Sequence, residues 1–139
     1  MNAKGTLGNA RIDVKLRLAV MWAVVMFFYL YNDVFMLLKD VRSGEGVSAN
    51  PPGEITLLVY ATIITPSALM PLACIALPAA ISRWVNIVVG VLYFGVIVWT
   101  VLPADTSLFY RFIGIVENIV TLGIIWTAWR WPRAVSAQP

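Results

Sequence analysis

The sequence predicts an all-α integral membrane protein, a bundle of four membrane-spanning helices. Of its 139 residues, 60% are hydrophobic and only 12% are charged, which is too apolar for a soluble domain of this length. The charges separate four apolar runs, and each run reaches the ~20 residues that a helix needs to cross a hydrocarbon core of ~30 Å. Histidine is absent and Cys74 is the single cysteine, which excludes histidine-based catalysis, the usual zinc sites and an intrachain disulfide.

The first span is predicted at residues 18–38, after a polar tail at 1–17 that is rich in Lys and Arg. Only Asn32 and Asp33 interrupt this apolar run. Charged residues follow it at 39–42, where a cleaved signal peptide would have small residues. We therefore expect this span to remain in the mature protein.

The second span is predicted at residues 55–81 and contains three prolines. A proline inside a helix lacks the backbone N–H and leaves the carbonyl four residues earlier without its partner. Kinks are therefore expected at the first two prolines, Pro66 and Pro71. A short polar hinge at Ser82 and Arg83 is predicted to end this span.

The third span is predicted at residues 84–103 and the fourth at 108–129, and a polar turn joins them. The fourth span carries Arg111 near its start and Glu117 deeper in the apolar run. It is therefore the second span with an acid inside it.

The Lys and Arg residues predict the orientation, because positively charged flanks are retained in the cytoplasm. With both termini inside, seven flank the inner side: Lys4, Arg11, Lys15, Arg17, Arg83, Arg130 and Arg133. Three flank the outer side: Lys39, Arg42 and Arg111. We expect an up-down-up-down bundle in the cell inner (plasma) membrane, with 18–131 as a single membrane domain and cytoplasmic tails at 1–17 and 132–139.

Asp33 and Glu117 are the leading candidates for a functional site, because a carboxylate in hydrocarbon costs several kcal/mol and needs a compensating partner, cavity or function. At ~1.5 Å per residue, both lie roughly 8–9 Å below the outer ends of their spans. We expect them in one layer of the bundle. Arg111 either extends outward to the interface or neutralises one of the two acids.

Other polar side chains complete the candidate intramembrane site. Asp33 ends a helical stripe that begins at Trp22, so we expect it to point into the bundle. The remaining candidates lie on the first, third and fourth spans: Tyr29, Asn32, Asn86, Tyr93, Asn118 and Thr121. The purely structural interpretation of Asn86 and Thr121 is that they form hydrogen bonds between helices, which is the common use of such residues in membranes.

Several short motifs together resemble one family. They are Trp22 with Tyr29-x-Tyr31-x-Asp33, Pro66 to Pro71 with Met70, Ser82-Arg83-Trp84-Val85-Asn86-x3-Gly90, and Phe109-Tyr110 to Glu117 followed by Trp126-x2-Trp129-x-Trp131. As a set they resemble a family of small bacterial four-span membrane proteins of unknown function. The resemblance implies four helices and a bacterial inner membrane, and it implies no substrate.

Three functional hypotheses follow. The first is a membrane protein that binds or passes a small solute or proton through its polar interior, with Asp33 and Glu117 as protonatable groups. The second is an accessory or scaffold subunit of a membrane complex or a homo-oligomer. The third is a membrane enzyme that acts on a lipid.

No catalytic, metal or cofactor site is predicted. The sequence offers no nucleophile paired with a base and no glycine-rich phosphate loop, dinucleotide turn or zinc signature. We expect no enzyme activity and no cofactor. Membrane lipids are the expected contacts of the basic residues, because these residues flank apolar runs, and nucleic acid is not expected as a partner.

Overall fold

The structure, a computed structural model, describes residues 12–44, 52–103 and 106–132. Most of the two predicted tails, including Lys4, Arg11 and Arg133 of the orientation count, lies outside the described residues.

Four α-helices account for nearly all of the described chain. Each is long and apolar enough to cross a membrane, so the prediction of an all-α protein with four membrane-length helices is confirmed. They are α1 (Val14–Ser43), α2 (Glu54–Ala76), α3 (Ala79–Val101) and α4 (Leu108–Trp129).

Consecutive helices run antiparallel, as contacts between their ends show. The Lys15 ammonium, at the start of α1, donates a hydrogen bond of 2.7 Å to the Leu77 carbonyl just after α2. The Arg83 guanidinium, near the start of α3, donates a bond of 3.3 Å to the Trp129 carbonyl at the end of α4. We call this end of the bundle the Lys15 end, and the opposite end, where α1 finishes at Ser43, the Lys39 end.

The helices form two closely packed pairs, α1 with α2 and α3 with α4, and α1 also packs along α4. The contact between α2 and α3 is much smaller. Helix α1 therefore joins the two pairs.

Helix α1 extends beyond the predicted span at both ends, because caps and not hydrophobicity determine where it begins and ends. The Asp13 carboxylate accepts a hydrogen bond of 2.7 Å from the Lys15 backbone N–H and so caps the first turn. Gly44, with φ of 76°, ends the helix in the left-handed conformation that glycine adopts without steric cost.

The boundary between α2 and α3 lies at Leu77 and Pro78, about one turn before the hinge expected at Ser82 and Arg83. Pro78 disfavours a helical conformation at Leu77, whose ψ is 148°. Since Pro78 itself needs no N–H partner, α3 begins directly after it. Ser82 and Arg83 therefore belong to α3, and Ser82 is fully buried.

A buried hydrogen-bond network around Asn86 joins three helices towards the Lys15 end. The Asn86 side-chain oxygen accepts a bond of 2.7 Å from the Trp22 indole N–H and one of 3.3 Å from the Cys74 thiol. Its amide nitrogen donates a bond of 2.7 Å to the Ser82 carbonyl. The interpretation of Asn86 as an interhelical hydrogen-bonding residue is confirmed.

Two glycines allow α3 and α4 to approach closely. A Cβ atom at Gly90 would lie 2.8 Å from Ile125 Cγ1, and one at Gly114 would overlap Val101 Cγ2. Gly95, also in α3, has open space around its Cα. The close contact is therefore specific to the side of α3 that faces α4, as small residues at membrane-helix interfaces permit.

Replacing Gly90 by Val is expected to lower the free energy of unfolding by about 1–3 kcal/mol, because the added carbons must displace Ile125 in a packed interface. Titration with sodium dodecyl sulfate in mixed micelles, followed by circular dichroism, measures the change. The matched control is Gly95→Val, which places the same side chain in open space on the same helix. An equal loss of stability in both variants would contradict the close-packing argument.

Candidate functional site

A small polar cavity of about 40 Å³ lies between α1, α3 and α4, in the half of the bundle nearer the Lys39 end. An ordered water needs ~10–15 Å³ and two to four polar partners. The cavity therefore has room for one or a few water molecules. It is lined by Tyr29, Asn32, Val96, Ile97, Thr100, Val101, Tyr110, Gly114 and Glu117.

Glu117 is the only acid lining this cavity, and only 3% of its surface is exposed. It shares one face of α4 with Tyr110 and Gly114, at spacings of seven and three residues. Gly114 has no side chain, and Val101 and Ile97 of α3 pack into the space that its Cβ would occupy, one turn before the carboxylate. The Glu117 Oε1 atom is buried and has no hydrogen-bond partner.

Tyr29 and Asn32 face Glu117 from α1. The Tyr29 hydroxyl and the Asn32 side-chain oxygen are also buried without a hydrogen-bond partner. The phenol of Tyr29 is close enough to interact with the Glu117 carboxylate, although no hydrogen bond of ordinary geometry joins them. Buried polar atoms in proteins are nearly always paired. Three unpaired oxygens around one cavity therefore constitute a candidate binding site for water, a proton or a small cation.

Asp33 does not take part in this cavity, and the expectation that it points into the bundle is wrong. Its side chain is exposed on the outer surface of α1, while Asn32 is buried. The inward-facing positions of α1 are the buried Leu18, Trp22, Val25 and Asn32 and the half-buried Tyr29, in alternating steps of four and three residues. Their mean spacing of about 3.5 residues is the period of left-handed helix packing, whereas the stripe that ended at Asp33 assumed a longer one.

Arg111 pairs with a backbone carbonyl at the turn between α3 and α4. Its guanidinium donates a hydrogen bond of 2.7 Å to the Pro103 carbonyl. Among the described residues, Glu117 Oε1 has no partner and Asp33 faces outward, so the structure does not pair Arg111 with either acid. Of its two expected roles, the contact with the turn fits extension towards the end of the bundle.

Tyr93 lies beside the site and supports α2. Its hydroxyl donates to the Ile63 carbonyl and accepts a hydrogen bond of 3.2 Å from the Ser67 backbone N–H. The Ile63 carbonyl and the Ser67 N–H are four residues apart in α2, the spacing of a helical hydrogen bond, and they lie next to Pro66 inside the helix. The Tyr93 ring also makes an edge contact with Tyr29, at 6.4 Å between ring centres.

The last two candidates lie on α4 and do not line the cavity. The Thr121 hydroxyl donates a hydrogen bond of 2.9 Å to the Glu117 carbonyl of the same helix, so it does not join two helices as interpreted from the sequence. Asn118 is half-buried, and its side-chain oxygen has no partner. The cavity thus combines three of the nine predicted site residues: Tyr29, Asn32 and Glu117.

Sequence reasoning missed Tyr110, Thr100 and Gly114 as site residues. The helical spacing of Tyr110 and Gly114 from Glu117 is a signal that could have identified both. Thr100 comes from the end of α3, and only the packing of α3 on α4 brings it to the cavity.

Replacing Tyr93 by Phe is expected to lower the free energy of unfolding by about 1–2 kcal/mol, since the Ile63 carbonyl and the Ser67 N–H lose a buried partner. The change in free energy is measured by the same titration with sodium dodecyl sulfate. Tyr31→Phe is the control, because 56% of Tyr31 is exposed and its stacking on Phe35 is retained. Equal stability of the Tyr93 variant and the natural chain would show that this hydroxyl is not needed by α2.

Comparison with known proteins identifies a family. No curated protein and no solved structure matches the chain. A family model described as a family of unknown function, DUF6326, matches residues 10–138 and so covers all four helices and the cavity. The resemblance to a family without an assigned function is confirmed to that extent, since the description states neither a bacterial source nor four spans. The chain belongs to the DUF6326 family of unknown function.

Proposed function

We propose that this protein binds a proton at Glu117 inside the membrane, and that passage of a proton or small solute through the bundle depends on this protonation. One observation carries the proposal. The Glu117 carboxylate is 3% exposed and one of its oxygens has no hydrogen-bond partner. The Tyr29 and Asn32 side chains line the same cavity, and each also has an unpaired oxygen.

The cost of an unpaired carboxylate supports proton binding. A charged carboxylate among apolar helices costs several kcal/mol unless a partner compensates it. A bound proton removes the charge and turns the carboxyl group into a hydrogen-bond donor for the Tyr29 or Asn32 oxygen. Water in the cavity would connect the same three groups.

The volume of the cavity limits what the site can bind. Pockets for drug-sized molecules measure ~300–1,000 Å³, whereas this one measures about 40 Å³. A proton with one or a few water molecules fits this volume, as does a small cation. A larger solute would require the helices to separate.

Access to the cavity supports entry from the Lys39 end. Thr100 and Val101 lie in the last turn of α3, and Tyr110 lies in the first turn of α4. On the opposite side, towards the Lys15 end, the fully buried Trp22 and Ile124 belong to a packed core that also contains the Asn86 network. Entry from the Lys39 end is therefore the shorter path to the cavity.

The orientation in the membrane is part of the proposal. Lys15, Arg17, Arg83 and Arg130 all belong to the Lys15 end of the bundle. Because positive flanks are retained in the cytoplasm, we assign this end to the cytoplasmic side of a bacterial inner membrane. Proton entry then occurs from the outer side.

Glu117→Gln is expected to remove the Glu117 component from the pH-dependent carboxyl bands in infrared spectra of the reconstituted protein, while the other acids still contribute. It should also reduce proton uptake into proteoliposomes under an imposed pH gradient by at least about tenfold, because the glutamine side chain does not titrate. Asp33→Asn is the matched control. Its carboxylate is exposed on the outside of α1, so proton uptake should stay within about twofold of the natural chain.

Two results would contradict the proposal. One is a set of pH-dependent carboxyl bands that is the same in Glu117→Gln and in the natural chain. The other is proton uptake that is unchanged when Glu117 is replaced, in a variant whose helix content by circular dichroism equals that of the natural chain.

A second candidate function, an accessory subunit of a membrane complex, is supported by the exposure of Asp33. This acid lies on the outer surface of α1, between the exposed apolar side chains Leu30, Val34 and Leu37. An acid on such a surface is stable where a neighbouring chain supplies a cation or a hydrogen-bond donor at the same depth. We propose a partner helix of that chemistry.

Asp33→Leu is expected to release the protein from a larger assembly, because the acid would no longer bind its cation or donor. The mass of the particle purified in a mild detergent is the measurement. Glu54→Gln is the control, since this acid lies in the first turn of α2. A monomer for both the natural chain and Asp33→Leu would count against the accessory role.

A further inference from the structure

We propose that a groove between α1 and α4 at the Lys39 end binds one anionic phospholipid. The groove has a volume of about 620 Å³ and lies outside the polar cavity, so the proposal is independent of proton binding. Its apolar part is formed by Phe35 and Leu38 of α1 and by Phe109, Phe112 and Ile113 of α4.

The apolar part of the groove suits an acyl chain. Phe35 and Phe109 meet edge to face, with 6.3 Å between ring centres, where α1 and α4 face each other. The flanking Leu38 and Phe112 are 57% and 68% exposed, so they form open walls. A lipid tail can cover these surfaces by dispersion contacts, and it has no polar group that would need a hydrogen-bond partner.

Two cations complete the groove at the end of α1. Lys39 and Arg42 are three residues apart, so they project from the same side of the helix. Along α1 they come after Phe35 and Leu38, so the apolar part of the groove is followed by its charged part. A phospholipid at the membrane interface has the same order, with an acyl chain followed by a phosphate. Asp40 lies between them in sequence and does not line the groove.

Lys39 and Arg42 are available to a ligand in the groove. Lys15, Arg83 and Arg111 each donate a hydrogen bond to a backbone carbonyl, whereas among the described residues Lys39 and Arg42 have no hydrogen-bond partner. Both line the apolar groove, so a molecule that lies there meets two positive charges. A phosphate or glycerol-phosphate headgroup supplies the opposite charge.

An anionic lipid fits this combination better than a protein partner. The occupant must be apolar along Phe112 and Ile113 and negative at Lys39 and Arg42, and a phospholipid carries both properties in one molecule. A second copy of the chain and the segment 45–51, which follows α1 and lies outside the described residues, are the competing occupants.

The test uses the full-length chain in detergent, titrated with phosphatidylglycerol or with phosphatidylcholine of the same acyl chains, and native mass spectrometry to count the bound lipids. Phosphatidylglycerol is expected to bind more tightly. The double variant K39Q/R42Q should weaken its binding about thirtyfold, the effect of removing two interfacial cations. Ile113→Trp, which fills the groove and keeps both charges, should weaken both lipids.

The control is K39R/R42K, which keeps both positive charges in the groove and should leave phosphatidylglycerol binding within about threefold of the natural chain. The proposal is overturned if the two lipids bind equally, or if this control loses as much affinity as K39Q/R42Q. It is also overturned if K39Q/R42Q instead dissociates a dimer, or if phosphatidylglycerol binds only after segment 45–51 is replaced by a Gly-Ser linker.

Discussion

The structure depends on one constraint, which is that polar groups surrounded by apolar helices must find their partners within the protein. The network around Asn86, in the Lys15 half of the bundle, meets it. Asn86 pairs with Trp22, Cys74 and Ser82, so one side chain satisfies groups from three helices. In the Lys39 half, Glu117, Tyr29 and Asn32 each retain an unpaired oxygen. The contrast separates a buried network whose hydrogen bonds are made from a cavity whose described oxygens lack a partner.

The two halves are connected by α1, which packs on both α2 and α4. Its single buried stripe supplies Trp22 to the network in one half and Tyr29 with Asn32 to the cavity in the other. Asp33, the acid that interrupts the apolar run of the first predicted span, lies outside this stripe. Charge inside an apolar run is therefore a sign of importance, but it does not show which side of the helix carries the function.

The fold was largely predictable from the sequence, because apolar length determines the number of membrane-length helices. The depth of Glu117 was predictable for the same reason, since depth depends only on rise per residue. Rotation about the helix axis was not predictable, because a difference of one position separates Asn32 from Asp33 and the packing period decides between them. The α2–α3 boundary at Pro78 and the pairing of Arg111 with Pro103 depend on local backbone geometry, which hydrophobicity does not report.

The contact of Tyr93 with two helices has a mechanical consequence. Its hydroxyl is held by the Ile63 carbonyl and the Ser67 N–H of α2, and its ring leans on Tyr29. A change in the bend of α2 near Pro66 would therefore move the Tyr93 side chain, and with it the Tyr29 phenol that faces Glu117. In this way α2 is mechanically coupled to the phenol beside Glu117, although none of its described residues lines the cavity.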